Sequence, residues 1–95
     1  MTFDDWSEHW LATKANVKQK TLDQYKRHIK YASAIFGKVL ISKIQAHHLE
    51  GLHRSLREAG RSSTTLHQIH TDVSGCLRAA YKRGLMVRDI SEQVE

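Results

Sequence analysis

Proline is absent from this 95-residue sequence, and cysteine occurs once, at Cys76. A lone thiol excludes a disulfide framework and a cysteine-based zinc site, and leans toward a reducing interior. Five glycines with no proline leave little to interrupt long helices, and so disfavour many short strands. No apolar run approaches the ~18 residues a membrane span needs, and no signal-peptide pattern opens the chain. Also missing are GxSxG, a Walker loop, a glycine-rich phosphate cradle and HExxH, while the carboxylates are scattered. Nothing assembles a reaction centre. What remains is 40% hydrophobic and 26% charged, the composition of one folded domain spanning 1–95.

Hydrophobic spacing predicts four helices, at about 3–14, 20–36, 46–59 and 64–83, with 85–95 a linker. In the first, Phe3, Trp6 and Trp10 recur on one face, and Thr2 with Asp5 forms a capping-box variant. In the second, Leu22, Tyr25, Ile29, Ala32 and Phe36 step by three and four, and Gly37 stands where a left-handed stop belongs. Leu49, Leu52 and Leu56 stripe the third, which Gly60 ends. Ser62 or Ser63 caps the fourth, whose stripe is Leu66, Ile69, Val73, Leu77 and Ala80 up to Gly84, with Cys76 and Tyr81 at its edges. Four such stripes can bury one another in an all-α bundle.

Charge is unevenly spread. Fifteen Lys and Arg oppose ten Asp and Glu, a formal +5. Between positions 14 and 30 stand six bases (Lys14, Lys18, Lys20, Lys26, Arg27, Lys30) and one acid, Asp23; elsewhere bases and acids balance. A localised basic patch is the footprint of a polyanion partner, although a solvated basic face gives the same pattern.

On a helical wheel, Lys20, Gln24, Arg27 and Tyr31 form a row opposite the core stripe of the second helix, flanked by Lys26 and Lys30. The cations suit phosphates, and Gln24 can offer an amide to a base edge. Arg61-Ser62-Ser63-Thr64-Thr65 opens the fourth helix with hydroxyls and free N–H groups, a phosphate seat that is equally an ordinary N-cap. Gln68 continues its outer row. Seven histidines include His67 and His70 at i, i+3 and His47, His48 and His53 nearby, but packing explains them better than metal ligation, and no cofactor is expected.

In order and spacing, Thr2-Phe3 to Trp10-Leu11, Val17-Lys18-Gln19-Lys20-Thr21-Leu22 with Tyr25, Gly37 to Ile44 with Leu49, Gly60-Arg61-Ser62-Ser63-Thr64-Thr65-Leu66 and Ala79-Ala80-Tyr81-Lys82-Arg83-Gly84-Leu85 resemble one family. It is the N-terminal SAM-like core-binding domain of tyrosine recombinases, the phage integrases. The resemblance implies an all-α, four-helix orthogonal bundle that forms half of a C-shaped clamp on duplex DNA at a core recombination site. It places Lys18, Lys20 and Gln24 in a first contact region and Ser63, Thr65 and Gln68 in a second; the wheel and charge readings add Lys14, Arg27, Arg61 and Thr64.

The family's catalytic residues belong to a following domain, so the chain is expected to bind rather than cut. That missing catalytic domain and the other protomers of a recombinase tetramer are the implied protein partners, with no membrane. The implied setting is the cytoplasm of a prokaryotic or phage-infected cell. Asp89-Ile90 stands where the family often has Asn-Pro. The competing reading is a helical protein-interaction module without nucleic-acid binding.

Overall fold

Thr2 begins the fold by capping the first helix. Its Oγ1 accepts from the Asp5 N–H (3.2 Å), and its own N–H donates to the Asp5 carboxylate (3.0 Å). This reciprocal box starts α1, Phe3–Ala12, and its bond from Thr2 holds the Asp5 carboxyl below the usual range. The remaining first amides of α1 find partners across the chain: Phe3 donates to the Val39 carbonyl (2.8 Å) and Asp4 to that of Gly37 (3.0 Å). α1 stops at Ala12, two residues short of the expected end. Beyond it the Thr13 hydroxyl bonds back to the Trp10 carbonyl at 2.6 Å and the chain turns.

The computed structural model describes residues 1–14 and 16–90. After α1 come α2 (Gln19–Phe36), a short 3₁₀ turn (Ile41–Lys43), α3 (Ala46–Glu58) and α4 (Ser63–Lys82). Among the described residues there is no strand, only an isolated bridge between Thr2 and Leu40. No described helix is long and apolar enough to cross a membrane.

The stripes converge on one core. Phe3, Trp6 and Trp10 meet Ile29, Ala32 and Phe36 of α2, Leu49, Leu52 and Leu56 of α3, and Ile69, Val73, Cys76, Leu77 and Ala80 of α4. Each large apolar side chain among them contributes about 1.5–3 kcal/mol by leaving water. Leu22, expected on this stripe, is only half-buried and lies outside the core cluster. Cys76, expected at an edge, is fully buried, and burial pushes its thiol up to about 12. Residues 85–90, the start of the expected linker, lie against the bundle, with Met86 and Ile90 in the core. Positions 91–95 fall outside the described residues.

Gly60 and Gly84 end α3 and α4 as expected, and do so in left-handed geometry, with φ of +79° and +78°. Gly37 corrects its expectation: its backbone is ordinary right-handed helix, φ −59° and ψ −31°. Its requirement is space. A Cβ there would strike the Asp4 carboxylate and lie 2.7 Å from Ser33 Oγ, because Ser33 donates to Asp4 at this spot.

Candidate nucleic-acid interface

The second helix decides what the basic segment can present. Lys20, Lys26, Arg27 and Lys30 are all exposed, and at 100° per residue they occupy about a third of its circumference. Among the described residues the ion pairs are His28 with Asp72 and Arg78 with Asp89, so none of these four cations has an anionic partner there. Lys18, the N-cap of α2, is exposed too and makes no side-chain capping bond. No acid lies in the first turn of α2, so the positive end of its dipole adds to these charges.

The expected outward row needs correction at two positions. Lys20 and Arg27 face solvent, but Gln24 and Tyr31 are half-buried in the seam between α2 and α4. Gln24 Nε2 donates to Asp72 Oδ2 at 3.3 Å. Tyr31 packs against the core edge, and its hydroxyl accepts from the Arg61 guanidinium at 2.9 Å. A helix with neighbours on α1, α3 and α4 loses more than the half-circumference that the core stripe marks. Lys14 is likewise half-buried, with its ammonium 4.8 Å from the Trp10 ring centroid.

At the start of α4, Ser62 is the N-cap. Its Oγ accepts from the Thr65 N–H (3.2 Å) and donates to Thr65 Oγ1 (3.0 Å), and its carbonyl takes the Leu66 N–H (3.0 Å). Thr65 is therefore engaged in capping. Ser63 and Thr64 are exposed, have no such partner, and carry the first two helical N–H groups. Gln68 is exposed one turn later. Arg61, just ahead of the cap, lies 5.4 Å over the Tyr31 ring.

The two regions are joined in a definite way. Gln24 and His28 meet Asp72, whereas Tyr31, further along α2, meets Arg61, further back toward the start of α4. The α4 start therefore reaches α2 near Tyr31 and not at α2's own beginning. At about 1.5 Å per residue, Lys20 and Tyr31 stand roughly 16 Å apart along the α2 axis.

His28 and Asp72 escaped the sequence reading. Nδ1 of buried His28 donates to the Asp72 carboxylate at 2.6 Å. The only available signal was their place beside the apolar stripes. The other histidines include a second pair: His53 Nε2 lies 2.9 Å from His70 Nδ1, and Ser74 Oγ lies 3.2 Å from His70 Nε2. Burial, first, and neighbouring positive charge push both His53 and His70 below the usual imidazole range. Among the described residues no cluster of three or more histidines, cysteines or carboxylates could hold a metal.

Comparison with solved structures matches the chain to the crystal structure of a lambda integrase (residues 75–356) dimer bound to a COC′ core site. The TM-score is 0.85 at 19% identity, covering 98% of this chain and 33% of that one, so the fold is shared and the chain spans about a third of its neighbour's length. No curated protein matches. The family comparison matches residues 2–57 to the phage integrase N-terminal SAM-like domain, which is more than half the sequence. With four helices in the predicted order around one core, the chain belongs to the phage integrase N-terminal SAM-like domain family.

Proposed function

We propose that this chain binds duplex DNA as the N-terminal half-clamp of a site-specific tyrosine recombinase, serving integration and recombination. The observation that carries the reading is the exposed arc of Lys20, Lys26, Arg27 and Lys30, cations without anionic partners among the described residues. This face carries four exposed cations against one exposed acid, Asp23, and its net positive charge is attracted to a polyphosphate and gains by releasing its counterions. The α4 start supplies the second grip. The Arg61 guanidinium keeps donors beyond the one given to Tyr31, and the N–H groups of Ser63 and Thr64 open toward an anion. Thr65 acts through the cap and Lys14 through Trp10, so both support the contact more than they make it.

Lambda integrase, the structural neighbour, was crystallised on a core-site DNA, which supports the same class of ligand here. The catalytic residues of the family lie in a following domain, so the work assigned to this chain is binding and orientation. A partner catalytic domain and further protomers would complete the assembly around the DNA, in the cytoplasm where that DNA resides. The protein-interaction reading would want an apolar centre on the exposed face. Exposed positions of α2 from Gln19 to Lys30 are all polar or charged.

Titration of the isotope-labelled chain with random duplex at two ionic strengths tests the reading. The expected result is amide shifts confined to 14–31 and 61–71, with log K falling by about 4–5 per decade of salt for four to six phosphates. Shifts elsewhere, or a salt-independent affinity, would overturn it.

A further inference from the structure

We infer that Asp72 is a positioning residue that fixes the amide of Gln24 for base reading, which selects a duplex presenting a hydrogen-bond donor on a major-groove base edge. The inference rests on the DNA-binding reading and goes beyond it. Asp72 lies in the seam, its carboxylate oxygen accepting from His28 Nδ1 at 2.6 Å and from Gln24 Nε2 at 3.3 Å. A carboxylate only accepts, so Gln24 must turn its nitrogen toward Asp72 and its carbonyl oxygen away. A free glutamine side chain presents either end; this one is set. His28, buried and bonded to the same oxygen, holds the carboxylate in place from the α2 side.

The amide so fixed sits between exposed Lys20 and exposed Arg27, one turn on either side. Phosphate contacts from those two would bring a groove edge over Gln24. Its oxygen, which the bond to Asp72 leaves as the acceptor end, would then take a hydrogen bond from adenine N6 or cytosine N4 and not from guanine O6 or thymine O4, which are acceptors themselves. Adenine suits it best, because the second amide hydrogen can reach N7. Without Asp72 the same glutamine could flip and accommodate either pattern.

The test selects bound sequences from a library of randomised duplexes at about 50 mM salt, where phosphate contacts are strong. The original chain, Asp72→Ala, Gln24→Met and Arg27→Ala are compared; alanine is used because asparagine would keep an oxygen able to accept from both His28 and Gln24. The chain is expected to enrich adenine or cytosine at one position by about tenfold. Asp72→Ala and Gln24→Met should both erase that preference while leaving the salt slope unchanged. Arg27→Ala should lower the slope and keep the preference. Gln24→Met leaves the His28–Asp72 pair intact, so it keeps the inference open to refutation even if Asp72→Ala unfolds. Retention of the same preference in Gln24→Met, or in a folded Asp72→Ala that merely binds every duplex more tightly, overturns the inference. A chain that binds with the expected salt slope but enriches no base sinks the inference alone. A chain that binds no duplex sinks the DNA-binding reading as well.

Discussion

Tyr31 of α2 holds Arg61 at the threshold of α4, accepting a hydrogen bond at 2.9 Å while its ring lies under the guanidinium. A guanidinium already ordered before binding loses less side-chain entropy on meeting a phosphate. That saving is about 0.5–1 kcal/mol. Tyr31→Phe keeps the ring and removes the hydroxyl, so duplex affinity should fall about two- to fivefold with little change in thermal stability. Fluorescence anisotropy with a labelled duplex checks it. An unchanged affinity would mean that Arg61 does not act from this position.

Lys20 has no ion-pair partner among the described residues, so its removal should be silent for folding and visible only against DNA. Lys20→Ala should weaken all duplexes alike and flatten the log K–log[salt] slope by about one. Titrations at several ionic strengths measure this directly.

Three glycines make opposite predictions. Gly75→Ala, in the middle of α4 with open space where a Cβ would go, should stabilise by about 1 kcal/mol through helix propensity. Gly60→Ala, at φ +79°, should destabilise by about 1–2 kcal/mol. Gly37→Ala should destabilise by about 1–3 kcal/mol, because Asp4 and Ser33 must part to admit the methyl group. At about 4–8 °C per kcal/mol for a domain of this size, calorimetry separates the stabilising change from the other two.

Stability should fall on mild acidification. Desolvation, first, and neighbouring positive charge hold His48, His53 and His70 below the ordinary imidazole value of 6.5. Around the His53–His70 pair, Arg57 and His67 add to this, and Glu50 opposes it at His53. The unfolded chain therefore takes up more protons than the native one. The stabilisation is complete above about pH 6.5 and is lost as pH falls below it. Unfolding midpoints measured from pH 8 to about pH 5 should show that decline, and His70→Gln should flatten it.

The buried bond from Trp6 Nε1 to the Cys76 carbonyl, 2.9 Å long, ties α1 to α4 across 70 positions. Trp6→Phe removes the donor and some packing, and should destabilise by about 1–3 kcal/mol in denaturant unfolding.

The order of the helices, most of their core stripes and the capping box at Thr2 were legible, because each depends on spacing of three or four residues; Leu22 and Cys76, at the margins of their stripes, were misplaced. Gly60 and Gly84 were legible for the same reason. Gly37 was not, since the carboxylate that excludes a side chain there belongs to Asp4, at the other end of the α1–α2 pair. The wheel located the basic face but not its edges. It marks what opposes the core, and says nothing of how far α4 wraps over Gln24 and Tyr31. Likewise a Ser-Ser-Thr-Thr run announces a helix start without revealing that Thr65 would be consumed by Ser62 and that Ser63 and Thr64 would stay open. His28 and Asp72 became visible only when two helices distant in sequence lay side by side.

The roughly 16 Å between Lys20 and the Tyr31–Arg61 cluster makes the paired helices a calliper. Under the proposed reading, a duplex engages both ends only where its phosphates match that separation, so the paired helices themselves set which backbone positions are gripped together.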